Sequence, residues 1–320
     1  MKNFVKTVAS AIILSVFVFG CQKEEKLIAA KDNVAKDNAS LSEPITIVDG
    51  IMKFETKEDF LKTTVLLGKN GGNTEEMDKW ESQFESKRYV SSRKAFNAIT
   101  KSDYEAMSKV GAIAPKFSKI INIVEKNDEK EVVRVIDSDI LSTLVNKDGK
   151  MLIGDNLLEF EYTQYFTTKD YSKLSASNTI PERERKSITR KTTMVNARSI
   201  AGYFAVSQYV MNGDDNRRLC GEISCNNVNG LFTDVVIRTR HQNRAAWIWW
   251  PDQVPALAVS GTGFGQATLS RGNSCGNCSS VNASFPTFGD FANLALYNYV
   301  NASHTGTCAD GQFRAVQTNI

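Results

Sequence analysis

The chain has 320 residues and a formal net charge of +3, and 42% of its residues are hydrophobic. That hydrophobic content is typical of a folded globular protein and excludes a largely disordered chain. The net charge is small, and no long basic stripe with interleaved aromatic residues occurs, so we expect no nucleic-acid partner. The sequence contains no P-loop, zinc-protease or serine-hydrolase motif. We therefore expect no cofactor, and no motif in the sequence supports a catalytic function.

The first residues predict export and lipid attachment. Lys2 and Lys6 precede the apolar residues 7–20, a run of signal-peptide length that is short for a membrane span. The run ends in Gly20-Cys21, which resembles a bacterial lipobox. The resemblance implies cleavage before Cys21 and acylation of its thiol and of the new amino group, and several acyl chains together give stable anchoring. The alternatives are an ordinary signal peptide with a chance cysteine, or an uncleaved N-terminal helix.

The segment after Cys21 predicts where the protein is displayed. Residues 22–26 read QKEEK, and this charged stretch resembles the surface-export signal of Bacteroidetes lipoproteins. The resemblance implies a position on the outer leaflet of the outer membrane, at the cell surface; the alternative is a simple solvated tether. We assign residues 1–20 to the signal peptide and 21–44 to a lipidated flexible tether. The lipid is then the expected contact with the membrane.

Composition changes near residue 190. Lys191 is the last lysine, and five cysteines and three of the four tryptophans follow it. We interpret this change as a boundary between an α+β module at 45–180 and a cysteine-containing β-rich domain at 199–320, joined by a charged linker at 181–198. The predicted fold class is α+β: a small helical region with a β-hairpin, then an antiparallel β-sandwich-like domain.

The N-terminal module begins with helical patterns. Thr56, followed by Asp59, predicts a capping box for a helix that ends near Gly68. Thr74 is expected to cap a second helix and Ser102 a third, through residue 107. Their apolar residues recur every three to four positions and are expected to face the core.

Strands are predicted to close this module. Residues 139–145 and 150–155 flank Asp148-Gly149, a strong hairpin signal because glycine tolerates positive φ. The segments FETKEDFLKTTVLL, MDKWESQF and LVNKDGKMLIGDNLLEF resemble a group of uncharacterised Bacteroidetes surface lipoproteins. The resemblance covers residues 45–170 and implies a helical region and a hairpin followed by a β-rich domain. It brings no catalytic residues.

The C-terminal domain shows strand patterns at 200–210, 231–240, 245–250 and 256–261, separated by turn residues. Within 231–240 the residues alternate between two faces. Val235, Ile237 and Thr239 share one face, and Asp234, Val236, Arg238 and Arg240 share the other.

The cysteines of this domain are Cys220, Cys225, Cys275, Cys278 and Cys308. Disulfides are the default outside the inner membrane, and the simplest arrangement pairs Cys220 with Cys225 and Cys308 with Cys275 or Cys278. One cysteine is then unpaired. The alternative is a zinc site formed by Cys275, Cys278, His304 and Cys308. A redox role for the C-x-x-C pair lacks the expected βαβ context.

Three tryptophans offer a candidate binding surface. Trp247 and Trp249 are expected on one face of a strand and Trp250 on the other, so one face could stack on a sugar ring or a partner protein. The alternative is burial of both faces. His241 follows Arg240 and is expected at the surface. We therefore favour a surface-exposed binding module for a glycan, a matrix component or an envelope protein, with a secreted polysaccharide or protein hydrolase as the alternative.

Overall fold

The computed structural model describes residues 45–69, 74–126, 128–162, 164–168, 184–190, 205–211, 213, 215–228, 231–265, 269–287 and 297–319. The predicted signal peptide, Cys21 and the tether lie outside these residues. Within them the protein mixes α-helix and β-strand, is rich in strand and contains more than one sheet. This confirms the broad class predicted from the sequence.

The described part of the chain contains five α-helices and seventeen strands. The helices are α1 (Lys57–Lys69), α2 (Thr74–Ser82), α3 (Ser92–Asn97), α4 (Lys101–Val110) and α5 (Asp139–Leu144). The first eight strands are β1 (Ile45–Val48), β2 (Ile51–Phe54), β3 (Ile121–Lys126), β4 (Glu129–Arg134), β5 (Lys150–Ile153), β6 (Asn156–Phe160), β7 (Gln164–Thr168) and β8 (Glu184–Arg190). The others are β9 (Ala205–Met211), β10 (Arg217–Val228), β11 (Phe232–Ala245), β12 (Ile248–Pro251), β13 (Val254–Gly265), β14 (Leu269–Cys278), β15 (Ser280–Thr287), β16 (Tyr297–Thr307) and β17 (Phe313–Asn319).

The helices begin close to the residues that the sequence marks as caps. Thr56 Oγ1 accepts the backbone N–H of Asp59 at 3.1 Å and donates to its carboxylate at 2.7 Å, which confirms the predicted cap of α1. Helix α2 begins at Thr74. The cap of α4 is Thr100 rather than Ser102, because the Thr100 hydroxyl accepts the backbone N–H of Asp103 at 3.2 Å and the Asp103 carboxylate accepts the backbone N–H of Thr100 at 3.1 Å, which completes a capping box.

Residues 139–145, predicted as a strand, form helix α5 and its C-terminal residue instead. The Ser138 hydroxyl accepts the backbone N–H of Leu141 at 3.2 Å and caps the helix. All residues from Ile140 to Leu144 are buried, so no polar stripe reveals the helical period. Gly149 does adopt a positive φ of 75°, but its turn joins α5 to β5. Strand β5 forms its hairpin with β6, through a turn at Gly154.

Two long strands, β10 and β11, form a central ribbon. They pair antiparallel from Arg217 opposite Asn243 to Val228 opposite Phe232. The outer edge of β10 pairs with β9 and β8, and that of β11 pairs with β15 and β12. The sheet continues from β8 through β7, β6, β5 and β2 to β1, and from β12 through β4 to β3. The ribbon therefore unites strands from both halves of the sequence in one thirteen-stranded sheet.

Part of the predicted linker at 181–198 lies within the described residues and forms a strand. Residues 184–190 form strand β8, which pairs with β7 on one side and β10 on the other. Strand β4 pairs in parallel with β12, placing Lys130 opposite Ile248. Ser42–Ile320 form one compact unit. The two compositional regions thus belong to one compact unit, in which residues 184–190 form a paired strand.

A second sheet, in the order β14–β13–β16–β17, packs against the ribbon. Leu257 and Val259 of β13 share a core with Val235 and Ile237 of β11, as the alternation predicted within 231–240 requires. A separate core lies between α1, α2, α5 and strands β2, β5 and β6. None of the helices in the described ranges is long and apolar enough to cross a membrane.

The two sheets approach each other closely at Gly221. A Cβ atom added there would lie 2.3 Å from Cδ2 of His304. The ring is held on both sides, because Nδ1 lies 3.1 Å from the Thr239 hydroxyl and Nε2 lies 2.7 Å from the Thr318 hydroxyl. The contact requires glycine at position 221 for space, since no side-chain atom fits between the backbone and the ring.

We expect Gly221→Ala to lower the free energy of unfolding by about 1–3 kcal/mol, because the added methyl overpacks the core between the sheets. The matched control is Gly276→Ala, where the nearest atom would be 3.6 Å away, and its effect should stay within about 0.5 kcal/mol. Urea unfolding of residues 42–320 measures both. Equal stability of the two variants would contradict the close packing at Gly221.

Candidate ligand-binding cleft

Buried charges occupy the face of the ribbon opposite the sheet–sheet core. Arg240 lies between two carboxylates, with Nη1 3.4 Å from Glu131 and Nη2 2.9 Å from Glu222. Arg218 donates to Gln242 at 2.9 Å and lies 3.6 Å from Glu131. Arg240, Arg218, Glu131 and Glu222 are all buried. Burial of such charges is tolerated only where they are paired, so their geometry is tightly constrained.

A third arginine extends this network toward the N-terminal half of the chain. Arg238 forms a 2.6 Å ion pair with Asp137 and donates from Nε to Asn282 at 2.9 Å. Burial by itself would lower the pKa of Arg238, but the charges of Asp137 and Glu222 outweigh it and raise the pKa. The guanidinium therefore stays charged.

The network explains why arginine replaces lysine late in the sequence. The Arg218 guanidinium lies 3.9 Å from the centre of the Trp249 ring while also donating to Glu129 at 2.7 Å. A planar guanidinium stacks flat on a ring and offers five donors in a fixed fork, whereas an ammonium is a compact point charge with three donors. The change in composition is thus explained, for Arg218, Arg238 and Arg240, by a buried network that ties the two halves together.

The cysteines pair differently from the prediction. Cys275 and Cys278 form a disulfide with each other, with Cα atoms 6.1 Å apart, whereas Cys308 is a buried free thiol. Strand β13 lies between β14 and β16, which separates Cys308 from the pair by two strand spacings of about 5 Å each. A disulfide spans at most about 7 Å between Cα atoms, so the predicted bridge to Cys308 is wrong.

The predicted Cys220–Cys225 bridge is also wrong. Both residues lie on β10, five positions apart. Five residues of strand span about 16 Å, well beyond the roughly 7 Å between Cα atoms that a disulfide can bridge. Cys220 is a buried free thiol whose Sγ lies 3.3 Å from the Gln242 side-chain oxygen. The side chain of Cys225 is outside the described residues.

The structure does not assemble the alternative zinc site from Cys275, Cys278, His304 and Cys308. The first two are joined as a disulfide, and His304 is bonded to two threonine hydroxyls in the core between the sheets. Among the described side chains, no group of three or more His, Cys, Asp and Glu residues is placed to hold a metal ion.

His241 is buried, which corrects its expected place at the surface. Its Nδ1 lies 3.3 Å from a carboxylate oxygen of Asp252. Burial would lower the pKa of His241, but hydrogen bonds with Asp252 and with Cys308 outweigh burial and raise the pKa to about 9. By contrast, burial lowers the pKa of His304 to about 4. The two core histidines therefore carry different charges at neutral pH.

The tryptophans do not form a common surface. Trp249 and Trp250 are buried, so neither contributes to the predicted exposed platform. Trp247 is 80% exposed and lies in the turn between β11 and β12. It does not share a strand face with Trp249, because Ala246 and Trp247 both have positive φ, of 50° and 63°, as in a type I′ turn. A bulky residue in this conformation is rare.

A cleft of about 250 Å³ lies between the helical region and the start of β15. The disulfide and the residues that follow it form one wall, and α3, α4 and Arg134 form the other. The floor carries Tyr104, whose buried hydroxyl has no hydrogen-bond partner among the described residues. The lining residues are Thr74, Arg93, Phe96, Asn97, Ile99, Tyr104, Arg134, Asp139, Gln253, Cys275, Gly276, Asn277, Cys278, Ser279, Ser280, Val281 and Asn282.

The charges around the cleft are neutralised locally. Arg134 forms an ion pair with Asp139, donates to Ser142 at 2.7 Å and lies 4.7 Å from the centre of the Phe96 ring. Arg93 is paired with Asp78 and, at 2.6 Å, with Glu81. Two guanidinium groups are thus matched by three carboxylates. The cleft offers amide, hydroxyl and aromatic groups rather than excess positive charge.

The sequence gives little sign of this cleft. Tyr104 and Met107 recur at helical spacing, so Tyr104 is read as a core residue. Arg93 and Arg134 belong to no recognised motif, and the wall formed by residues 275–282 is far from them in the chain. A neighbouring small cavity, of about 20 Å³, reaches His241 and shares Phe96, Arg134, Ser279 and Ser280 with the cleft.

No family model, curated protein or solved structure matches this chain.

We expect the stability of the protein to fall as pH rises from about 6.5 to about 9, because the folded state holds a proton on His241 that the unfolded state releases at lower pH. The contribution is fully present below pH 6.5 and is worth about 3 kcal/mol, from a pKa shift of about 2.5 units. Urea midpoints at pH 6 and pH 9.5 measure it. His241→Gln should lose most of this dependence; an equal slope in both proteins would show that another group causes it.

Proposed function

We propose that the protein is a lipid-anchored cell-surface binding protein that holds part of a glycan in the cleft. The observation that carries this proposal is Tyr104, a lining residue of the cleft whose buried hydroxyl has no hydrogen-bond partner among the described residues. An unsatisfied buried hydroxyl costs free energy unless something bonds to it. A ligand hydroxyl would supply that bond.

The chemistry of the lining supports a neutral, hydroxyl-rich ligand. Asn97 and Asn277 are exposed amides at the cleft, and Gln253 is partly exposed there. Amides both donate and accept, as sugar hydroxyls do. The arginines are already paired with carboxylates, which disfavours an anionic ligand. We take the C-terminal strands as a sandwich-like scaffold for this site, supported by the apolar core that β10, β11, β13 and β16 share.

Binding is favoured over the alternative of hydrolysis. Asp139 is the one carboxylate among the described cleft-lining residues, and it is committed to Arg134. Glycoside hydrolysis ordinarily needs two carboxylates, one of them free to act as an acid. The contact among Cys308, His241 and Asp252 places a nucleophile type beside a base type, but Cys308 and His241 are both buried and Cys308 lies outside the cleft lining. This contact is therefore weaker support for a hydrolase than the cleft is for a binding protein.

We expect Tyr104→Phe to weaken glycan binding about three- to tenfold, corresponding to the loss of about one neutral hydrogen bond. The free protein should unfold at the same or a higher temperature, because an unpartnered polar group is removed. A glycan array with residues 42–320, followed by calorimetric titration of a bound glycan, measures the change. Tyr209→Phe is the matched control, because Tyr209 is 49% exposed and is not a lining residue of the cleft.

Two outcomes would contradict the proposal. One is failure of the wild-type chain to bind any glycan in the array. The other is a bound glycan whose affinity is the same for Tyr104→Phe and for Tyr209→Phe, since binding would then take place away from the cleft.

The anchor is proposed from the sequence of residues 1–26. The lipobox-like Gly20-Cys21 and the following QKEEK stretch imply acylation and surface display. The resemblance of residues 45–170 to Bacteroidetes surface lipoproteins supports the same location. A surface position would give the cleft direct access to extracellular glycans.

We expect Cys21→Ser to abolish acylation, because no neighbouring side chain can form the thioether. Metabolic labelling with a fatty acid and detergent phase partitioning of the protein measure the effect. Cys308→Ser is the control and should leave labelling unchanged, since Cys308 is buried in the fold. Continued labelling of the Cys21→Ser variant would contradict the anchor.

A further inference from the structure

The Cys275–Cys278 disulfide lies in the wall of the cleft, and both cysteines are only partly buried. The other two cysteines with described side chains, Cys220 and Cys308, are buried free thiols. Reactivity of a cysteine sulfur requires access, and buried structural cysteines are inert. The disulfide is therefore the sulfur pair that a molecule in the cleft can reach.

The disulfide contributes little to holding the fold together. It closes a loop between residues three positions apart, and the stabilisation from a cross-link falls as the loop shortens. Strand β14 is already paired with β13 from Gly263 opposite Leu269 to Val254 opposite Cys278. Asn273 adds side-chain bonds to Thr74 at 3.1 Å and to the Asn282 carbonyl at 2.9 Å. These contacts hold the wall in place without the sulfur–sulfur bond.

The backbone between the two cysteines, at the end of β14, also follows a local preference. Asn277 has a φ of 51°, and asparagine is among the few residues other than glycine that adopt this conformation readily. The backbone there therefore does not depend on the disulfide for its shape. Opening the bond would leave two thiols facing the same cleft.

We propose that the Cys275–Cys278 pair is a site of thiol–disulfide exchange with a small thiol or a cysteine-containing peptide that enters the cleft. The incoming thiol loses its proton, and its sulfur attacks Sγ of Cys278. A new sulfur–sulfur bond forms to Cys278 as the Cys275–Cys278 bond breaks. The electron pair goes to Sγ of Cys275, which takes up a proton.

The surroundings of the two sulfurs favour attack at Cys278, because a carbonyl oxygen beside Cys275 repels an incoming thiolate. Sγ of Cys275 lies 3.6 Å from the backbone carbonyl oxygen of Ser280, which can accept a hydrogen bond from the thiol formed there. A second thiol then loses its proton and attacks the outer sulfur of this mixed disulfide, and Sγ of Cys278 leaves with the electron pair and takes up a proton. This step releases a disulfide of the two thiols and leaves Cys275 and Cys278 reduced, so two thiols are oxidised as one protein disulfide is reduced. This activity does not require a glycan and is separate from the proposed binding function.

The test uses residues 42–320 with Cys225 replaced by Ser, incubated in glutathione buffers of graded redox ratio without denaturant. Acid quenching, alkylation and peptide mass analysis then identify the reduced cysteines. We expect Cys275 and Cys278 to be reduced and reoxidised reversibly, with an unchanged circular dichroism spectrum, while the buried Cys220 and Cys308 stay unlabelled. Reduction only in denaturant, or reduction that unfolds the protein, would overturn the proposal.

Single substitutions test the direction of attack. Cys275→Ser leaves Cys278 as the cleft thiol, and Cys278→Ser leaves Cys275. With oxidised glutathione, we expect the Cys275→Ser variant to gain one glutathionyl group faster than the Cys278→Ser variant, because the Cys275 thiol is held at the Ser280 carbonyl. Equal or reversed rates would overturn the assignment of Cys278 as the attacked sulfur.

Discussion

The contact of Arg240 with Glu131 and Glu222 is the constraint around which the protein is arranged. Glu131 comes from β4, while Arg240 and Glu222 come from the ribbon strands β11 and β10. Removing charges from water costs several kcal/mol for each ion, and the cost is recovered only when each charge meets its partner in good geometry. The correct placement of β4 beside β12 is therefore required wherever the ribbon is folded. This requirement joins two regions of different composition in one folded unit.

The same network of charged side chains makes the cleft rigid. Asn282, in the wall that carries the disulfide, accepts from Arg238, which is paired in turn with Asp137. On the opposite wall Arg134 is fixed by Asp139 and Ser142. Both walls are thus held by charged groups whose bonds are already made, so a ligand meets preorganised donors and acceptors and loses little affinity to ordering them.

Local features could be predicted from the sequence, whereas features formed by distant residues could not. The Thr56 cap and the alternation within 231–240 depend on neighbours within a few positions, and both are found. Helix α5 was predicted as a strand because it is buried on all sides and lacks the polar stripe that would reveal a helical period. The buried arginines of β10 and β11 are of the same residue type as those on a solvent-exposed strand face. Only the tertiary structure shows that they are buried. The disulfide pairing depended on β13 lying between β14 and β16, an order that spacing does not reveal.

The parallel pairing of β4 with β12 has a consequence for how the chain folds. Ile248 lies opposite Lys130, more than a hundred residues away in the chain, and parallel strands far apart in sequence raise the contact order and slow folding. When the chain is synthesised from its N-terminus, the arginines that pair with Glu131 and Asp137 follow only with β10 and β11. The N-terminal part therefore cannot reach its final structure early. Nearly the whole chain must therefore be synthesised before the buried charges can be neutralised, which delays the final structure until late in synthesis.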